Sequence, residues 1–154
     1  MTPQGIEGCV FHQTLTLPED IHALKHASLG EGYGMVRTLV ERYHTGENTF
    51  SLPGEALFVA RREGALVGIG GLNVDPYFND PLLGRLRHVY VLPGSRQGGV
   101  GRALVARIER AAQGHFRKIQ LRSPDAEASA FYLALGYRPV SGSPVVSHGK
   151  ALTG

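Results

Sequence analysis

The spacing of apolar and polar residues changes several times along the first half of the chain, and each change predicts a new element. Apolar and polar positions roughly alternate over Val10–Leu17, which predicts a strand. After Pro18-Glu19-Asp20 the apolar spacing becomes helical. Two helices divided by three glycines are predicted from their apolar stripes: Ile21, Leu24 and Leu29 in the first, Gly30, Gly32 and Gly34 at the break, and Met35, Val36, Leu39 and Val40 in the second, which ends near Tyr43.

The middle of the chain is rich in β-forming residues. Two apolar runs, Ala56–Ala60 and Ala65–Leu72, flank the polar break Arg61–Gly64 and predict a hairpin. A loop with two prolines follows over Asp75–Pro81, and a third strand is predicted over Leu86–Leu92.

The last third alternates helix and strand. A helix is predicted over Val100–Gln113, with Gly114 after it and with one apolar face formed by Val100, Leu104, Ile108 and Ala111. A strand over Phe116–Leu121 follows, and then a helix that is capped by Ser123, has Pro124 at its first position and ends at Gly136. Closing strands are predicted over Tyr137–Val140 and Pro144–Leu152. This order predicts a mixed α/β (α+β) fold, with a central, mostly antiparallel twisted sheet of six to seven strands and about four helices.

Composition narrows the class of protein. A chain of 154 residues fits one domain over 1–154. Its net charge of +3 is too small to indicate a nucleic-acid partner, and no apolar run is long enough to predict a membrane span or a signal peptide. A single cysteine, Cys9, fits a reducing compartment, so we expect a cytoplasmic protein. The seven histidines have no metal-ligand spacing, so no metal site is expected.

The segment Leu86–Gly101 carries the strongest chemical signal. A strand there leads through a glycine-rich turn directly into a helix. The first turn of a helix offers unpaired N–H groups and the positive end of the helix dipole, which attract phosphate. Gly98, Gly99 and Gly101 would let a ligand approach the backbone, and Arg96 and Arg102 add positive charge.

Two common phosphate motifs fit this segment poorly. Gly94 and Gly99 have the spacing of a P-loop, but the Lys-Ser or Lys-Thr pair is missing after them. A dinucleotide fingerprint starting at Gly99 would need glycine or alanine where Leu104 stands.

The pattern that does fit is R-x-x-G-x-G over Arg96–Gly101. With Val89-Tyr90-Val91 and Pro93 before it, the segment resembles the acyl-CoA-binding motif of the GCN5-related N-acetyltransferase (GNAT) family. A second similarity lies downstream, where Phe131–Tyr137 reads F-Y-x-x-x-G-Y within a predicted helix. Together these motifs cover about half of the chain.

The resemblance implies a binding site for acetyl-CoA. Backbone N–H groups of residues 97–102 would hold the diphosphate, Val89 and Val91 would offer backbone groups to the pantetheine arm, and Tyr132 would lie beside the sulfur. Asp125 stands where the family often has asparagine. The implied cofactor-binding set is Val89, Tyr90, Val91, Arg96, Gln97, Gly98, Gly99, Val100, Gly101, Arg102, Ala103, Asp125 and Tyr132.

The implied activity is transfer of the acetyl group to a primary amine by direct attack, with a small-molecule acceptor slightly favoured over a protein. Tyr132 would protonate the leaving thiolate, although it could equally be a core residue. His88 is favoured as general base over Tyr90 and Asp75, because its ordinary pKa suits proton transfer, although a histidine on a strand is more often structural. The N–H of Val91 could stabilise the oxyanion.

Loop aromatics and one acid are candidates for the acceptor pocket: Tyr33, Asp75 and Tyr77, with Tyr43 and Phe78 as further options. Arg85 and Arg87 are interpreted as solvated strand positions. The alternative function is a non-catalytic acyl-CoA-binding sensor. Many relatives pair, so a homodimer is a further expectation, and neither a nucleic-acid nor a membrane partner is expected.

Overall fold

The computed structural model describes residues 6, 8–96, 98–123 and 125–152. Its strands are β1 (Cys9–Thr14), β2 (Ala56–Arg62), β3 (Ala65–Val74), β4 (Leu83–Val91), β5 (Lys118–Leu121), β6 (Arg138–Pro139) and β7 (His148–Ala151). Its α-helices are α1 (His22–Gly30), α2 (Met35–Thr45), α3 (Val100–Ala112) and α4 (Ala126–Ala134), with 3₁₀ turns at Glu19–Ile21 and Pro93–Ser95.

The strands form one sheet in the order β1-β2-β3-β4-β5-β7-β6. Every neighbouring pair is antiparallel except β4 with β5, which run parallel. The predicted fold class is therefore confirmed: a mixed α/β fold with four helices around a mostly antiparallel sheet.

Helices cover both faces of the sheet and bury a separate apolar cluster on each. The cluster under α3 and α4 includes Leu72, Leu86, Leu104, Ile108 and Tyr132. The cluster under α1 and α2 includes Leu24, Leu39, Val59, Ile69 and Tyr90. Leu86 and Tyr90, which both belong to β4, thus pack into opposite layers.

Some predicted boundaries and faces were wrong. Leu29 is 41% exposed and lies outside the core, and on α3 the buried residue is Ala112 rather than Ala111. Strand β1 ends at Thr14 instead of Leu17, and β4 begins at Leu83 instead of Leu86.

The start of α4 also differs from the prediction. Asp125, rather than Ser123, is the N-cap, because its carboxylate accepts a hydrogen bond from the Glu127 N–H at 3.2 Å. Pro124 lies outside the described residues. The closing strands are short: β6 has two residues and β7 has four.

Two searches of the described part of the chain gave negative results. No helix there is long and apolar enough to cross a bilayer. No group of three or more His, Cys, Asp or Glu side chains within it is arranged to hold a metal ion.

Candidate active site

Strands β4 and β5 separate after a short stretch of pairing. The parallel pairs run only from Leu83–Arg85 to Lys118–Gln120. Beyond Arg85, the rest of β4 has no strand partner on this side within the described part of the chain. The separation opens a gap between the two strands, which we call the cleft.

Backbone groups of β4 point into the cleft. The Leu92 N–H bonds to the Val67 carbonyl on β3 at 2.9 Å. Successive residues of a strand direct their N–H groups to opposite sides. The N–H of Val91 therefore faces away from β3, toward the cleft, and so does that of Val89.

A β-bulge at His88 shapes the same edge. Ile69 pairs with Tyr90 and Gly71 with Arg87, so β4 has one residue more than β3 over this stretch, and His88 has a positive φ of 59°. A bulge of this kind brings two consecutive side chains to the same face. Arg87 and His88 both lie on the side of the sheet that α2 covers, next to the cleft.

The cleft contains a cavity of about 150 Å³. It is lined by Met35 at the start of α2, residues 86–89 of β4, Leu121, Arg122, Ser123, and Ala128 and Tyr132 on α4. His88 and Tyr132, the two catalytic candidates from the sequence, thus line one cavity, although they come from different elements.

His88 is held in one orientation and in one tautomer. Its Nδ1 lies 3.0 Å from the Met35 carbonyl, which can only accept, so Nδ1 carries the proton. Its Nε2 is buried and has no hydrogen-bond partner in the described part of the chain. Burial and the neighbouring charge of Arg87 lower the pKa of His88 to about 4, so the ring is neutral at pH 7 with a free lone pair on Nε2.

Tyr132 is 8% exposed and packs its ring edge-on against Phe131 and Tyr137, at centroid distances of 5.0 and 5.6 Å. Burial raises the pKa of its hydroxyl above the ordinary value. The phenol is therefore protonated at neutral pH and is available as a proton donor.

The start of α3 presents backbone N–H groups that have no acceptor among the described residues. Gly98 and Gly99 have φ of 89° and 94°, and a Cβ on Gly99 would meet nothing within 4 Å. The first helical bond runs from the Ala103 N–H to the Gly99 carbonyl at 2.9 Å. The N–H groups of residues 100–102 precede that bond and have no acceptor in the described part of the chain.

Gly101 allows α3 to approach α4 closely. A Cβ at this position would lie 3.4 Å from the ring of Phe131, tighter than most side-chain contacts. The glycine therefore places the free amides of α3 beside the helix that carries Tyr132.

A comparison with protein-family models assigns this chain to a family. The family model described as an acetyltransferase (GNAT) domain matches residues 53–139, more than half of the chain and all of β4, α3 and α4. The chain belongs to the GNAT acetyltransferase family. No curated protein matches it in sequence.

Solved structures support the same assignment for this GNAT domain. A structure from Exiguobacterium sp. 255-15, classed as an acetyltransferase, is 28% identical, with a TM-score of 0.82 and 93% of each chain covered. A GNAT-family structure from Desulfovibrio desulfuricans shares the fold at 16% identity, with a TM-score of 0.74 and coverage of 94% of this chain and 99% of its own.

A third similar structure was solved with ligands. N-acetylglutamate synthase from Neisseria gonorrhoeae, in complex with coenzyme A and N-acetyl-glutamate, matches 94% of the GNAT chain and 35% of its own, at 16% identity and a TM-score of 0.66. At that identity the similarity shows the shared fold alone.

Arg96 of this GNAT domain is tied back onto the protein. Its Nε donates to the Val91 carbonyl at 2.9 Å, its Nη2 bonds to Glu31 at 2.7 Å, and its guanidinium lies over the ring of Tyr90. Hydrogen bonds from Arg96 and Tyr90 lower the pKa of Glu31. The side chain of Arg96 thus connects the end of α1 to β4. Of the other predicted cofactor residues, Arg102 is exposed and Gln97 lies outside the described residues.

Of the predicted acceptor residues, Tyr33 reaches across to α4, where its hydroxyl lies 3.5 Å from the Asp125 carboxylate. Tyr77 is 55% exposed, and the Arg85 guanidinium lies over its ring. Tyr43 and Phe78 line neither the cleft cavity nor the two cavities beside it.

Asp75 has a structural position. It is 1% exposed, and its carboxylate accepts from Arg85 Nε at 3.1 Å, from Gln120 at 3.3 Å and from the Tyr77 N–H at 3.0 Å. Three donors occupy this carboxylate, so Asp75 is a poor candidate for a base or for a substrate contact.

The interpretation of Arg85 and Arg87 as solvated was wrong. Arg85 is 4% exposed in the ion pair with Asp75, and Arg87 is half-buried. Their alternation with apolar Gly84 and Leu86 in a central strand was the available signal, because a central strand buries both faces.

Arg87 also lines two larger cavities that the sequence did not reveal. The flanking cavity, of about 410 Å³, is lined by Tyr77, Arg85, Leu86, Arg87, His88, Arg122, Pro144 and Val145. The outer cavity, of about 530 Å³, lies between the end of α2 and the loop after β3, and its lining includes Arg42, Glu47, Tyr77 and Arg87. Tyr77 and Arg87 line both.

Proposed function

We propose that this protein is an acetyl-CoA-dependent N-acetyltransferase that acetylates a small primary amine by direct attack. The observation that carries the proposal is the cleft between β4 and β5, where His88 and Tyr132 line one cavity and the free amides of α3 lie close by. Each part of the cleft fits one step of this chemistry.

The residues present fit acetyl-CoA. The N–H groups of Val100, Gly101 and Arg102, which have no acceptor among the described residues, suit its diphosphate, and Gly99 leaves the approach to them open. The free edge of β4, through Val89 and Val91, suits the amides of a pantetheine arm. Once bound, acetyl-CoA supplies the thioester carbonyl that the amine attacks.

His88 suits the removal of the amine proton. An amine with a lysine-like pKa must lose a proton before attack, which costs about 4–5 kcal/mol at neutral pH. The neutral amine that remains must lose a second proton as the N–C bond forms and the C–S bond breaks. Because the Met35 carbonyl fixes the Nδ1–H tautomer, Nε2 can take this second proton and then pass it to solvent. Because its pKa is low, His88 remains in the neutral, basic form throughout the physiological range.

Val91 and Tyr132 lie where they could stabilise the two negative charges that develop in the reaction, on the carbonyl oxygen and on the leaving sulfur. The Val91 N–H, on the cleft side of β4, would donate to the oxygen that gains negative charge during attack. Tyr132 would give its hydroxyl proton to the departing sulfur and regain a proton from solvent.

The cavities favour a small acceptor. The flanking cavity shares Leu86, Arg87, His88 and Arg122 with the cleft cavity, so an acceptor seated there lies next to the proposed base. Its volume of about 410 Å³ is typical of a small-molecule site.

The test is a measurement of free CoA release from acetyl-CoA by the purified protein over a panel of small amines, with calorimetry of CoA binding alongside it. We expect CoA to bind and at least one amine to be acetylated well above the rate of hydrolysis. CoA binding without turnover on any amine would favour the non-catalytic sensor, and the absence of CoA binding would contradict both functions.

A further inference from the structure

Arg87 is a half-buried cation, and its guanidinium is neither hydrogen-bonded to nor ion-paired with an anion in the described part of the chain. Two neighbouring arginines do have partners: Arg42 pairs with Glu47 at 2.9 Å and Arg85 with Asp75 at 3.1 Å. Within the residues that the structure describes, Arg87 is therefore the half-buried cation whose charge is left available to the cavities around it.

The surroundings of Arg87 make its charge unfavourable as it stands. Burial, followed by the nearby positive charges of Arg42 and Arg85, lowers the pKa of Arg87. The weaker opposing effects of Tyr77 and Asp75 do not cancel this lowering. A guanidinium nonetheless keeps its proton in a protein. An anion beside it would restore the lost solvation and offset the repulsion, so the protein has a ready position for a negative group.

Arg87 lies next to His88, the proposed base, and lines the cavities around it. Arg87 precedes His88 at the bulge and lines the cleft cavity, the flanking cavity and the outer cavity. Arg122, an exposed cation at the end of β5, lines the first two of these. A negative group held in the flanking cavity would thus place the rest of its molecule next to His88.

We propose that the acceptor is a primary amine that also carries a carboxylate, and that Arg87 binds this carboxylate in the flanking cavity. The inference rests on the proposed function and adds the class of acceptor. The two parallel N–H groups of a guanidinium match a carboxylate in a bidentate geometry. Arg122, which also lines this cavity, is exposed and screened by solvent. Among the described residues that line it, Arg87 therefore supplies the one partly desolvated unpaired charge, which matches the single charge of a carboxylate better than the double charge of a phosphate.

The first experiment compares acceptors that differ only in this group. Amino acids with the carboxylate two to five carbons from the amine, such as β-alanine and 4-aminobutyrate, are each paired with their carboxamide, and rates are expressed per neutral amine. We expect the acid of the best pair to have a kcat/KM at least about tenfold higher, as for loss of a charge-assisted hydrogen bond. Equal use of acid and amide in every pair, or a preference for 3-aminopropylphosphonate, would overturn the proposal.

The second experiment assigns the preference to Arg87. We expect Arg87→Gln to raise KM for the acid at least about tenfold relative to KM for the amide, and Arg87→Lys to recover part of the loss. Any change in kcat caused by the altered pKa of His88 should be the same for acid and amide. Arg110→Gln, which removes an exposed arginine from α3, is the matched control and should change neither acceptor. An equal loss on acid and amide in Arg87→Gln would make Arg87 a structural residue and refute the proposal.

Calorimetry separates failure of this inference from failure of the proposed function. N-acetylated acids such as 4-acetamidobutyrate are titrated into the protein saturated with CoA, so the readout does not depend on turnover. Tighter binding of an acid than of its amide, lost in Arg87→Gln, would support the carboxylate site even if no amine were acetylated. If no acid binds more tightly than its amide, the carboxylate site is wrong even in an active enzyme.

Discussion

Asp75 and Arg85 form a buried ion pair with 3.1 Å between Oδ2 and Nε. Asp75 follows the end of β3, Arg85 is the last residue of β4 that pairs with β5, and Gln120 of β5 also donates to Asp75. Arg85 further donates to the Val145 carbonyl at 2.8 Å. The pair thus connects three strands and the C-terminal loop at the point where the cleft begins.

Removing one member of this pair should destabilise the protein strongly. Asp75→Asn would leave the guanidinium of Arg85 buried without its counter-charge, and we expect a loss of about 3–5 kcal/mol of unfolding free energy. Urea denaturation measures it. Asp20→Asn, which breaks the exposed pair with Arg61, should cost less than about 1 kcal/mol and is the control. A similar small loss in both variants would show that the buried pair does not hold the strands together.

Tyr132→Phe should lower kcat while leaving CoA affinity nearly unchanged. The ring and its contacts with Phe131 and Tyr137 remain, and only the proposed proton donor is lost. General acid catalysis contributes about 10²–10⁴-fold, so we expect a decrease in that range. Steady-state kinetics with an identified acceptor, together with calorimetry of CoA, measure both quantities.

Tyr137→Phe is the matched control for this prediction. Tyr137 is another buried tyrosine, 2% exposed, and it is not among the residues that line the cleft cavity. Its variant should retain most of the activity. Unchanged kcat in Tyr132→Phe would remove Tyr132 from the mechanism, and an equal loss in the two variants would assign the effect to packing.

The sequence was sufficient for the fold and for the residues close to each other in the chain. Local patterns encode the hairpin of β2 and β3, the apolar face of α3 and the glycine turn at Gly98 and Gly99, because each depends on neighbouring residues. The two GNAT motifs at Arg96–Gly101 and Phe131–Tyr137 could also be recognised together in the sequence.

Contacts between distant residues were not readable in the same way. Nothing near Arg85 in the sequence shows that Asp75 neutralises it, and nothing near Arg87 shows that it forms no ion pair with any described residue. The attachment of Arg96 to Glu31 likewise depends on how the end of α1 folds back onto β4. The bulge at His88 was also missed, although it determines which side chains face the acceptor cavities.

His88 should make the protein less stable as the pH falls from about 6.5 to about 4. Its pKa is lowered in the folded state, so the unfolded chain binds a proton in this interval and the folded chain does not. A shift of the His88 pKa from 6.5 to about 4 corresponds to a loss of about 3 kcal/mol of unfolding free energy as the pH falls across this interval. Above pH 6.5 the unfolding free energy does not depend on this group.

The measurement compares wild type with His88→Asn, since asparagine tolerates the positive φ at this position. Urea denaturation at pH 7.5 and at pH 4.5 gives the pH dependence of both proteins, and the carboxylates common to both cancel in the difference. We expect the wild type to lose more stability than the variant. An equal loss would show that His88 is protonated as readily in the folded state as in the unfolded chain.

A side chain at Gly99 should weaken CoA binding without disturbing the fold. Gly99 has a φ of 94°, and a Cβ there would project into open space beside the N–H groups that we propose bind the diphosphate. Asparagine accepts this backbone conformation better than other side chains do. We expect Gly99→Asn to raise the Kd of CoA at least about tenfold, as the loss of access to charge-assisted hydrogen bonds implies.

Gly64→Asn is the matched control, because Gly64 has a φ of 82°, also has nothing within 4 Å of its Cβ position, and lies at the tip of the β2–β3 hairpin, far along the chain from α3. Both variants introduce the same side chain into the same backbone conformation, so their unfolding free energies should change alike, by less than about 2 kcal/mol. Only Gly99→Asn should lose heat of binding when CoA is titrated. If the two variants bound CoA as tightly as wild type does, the diphosphate would have to lie elsewhere, and the start of α3 would be a structural turn.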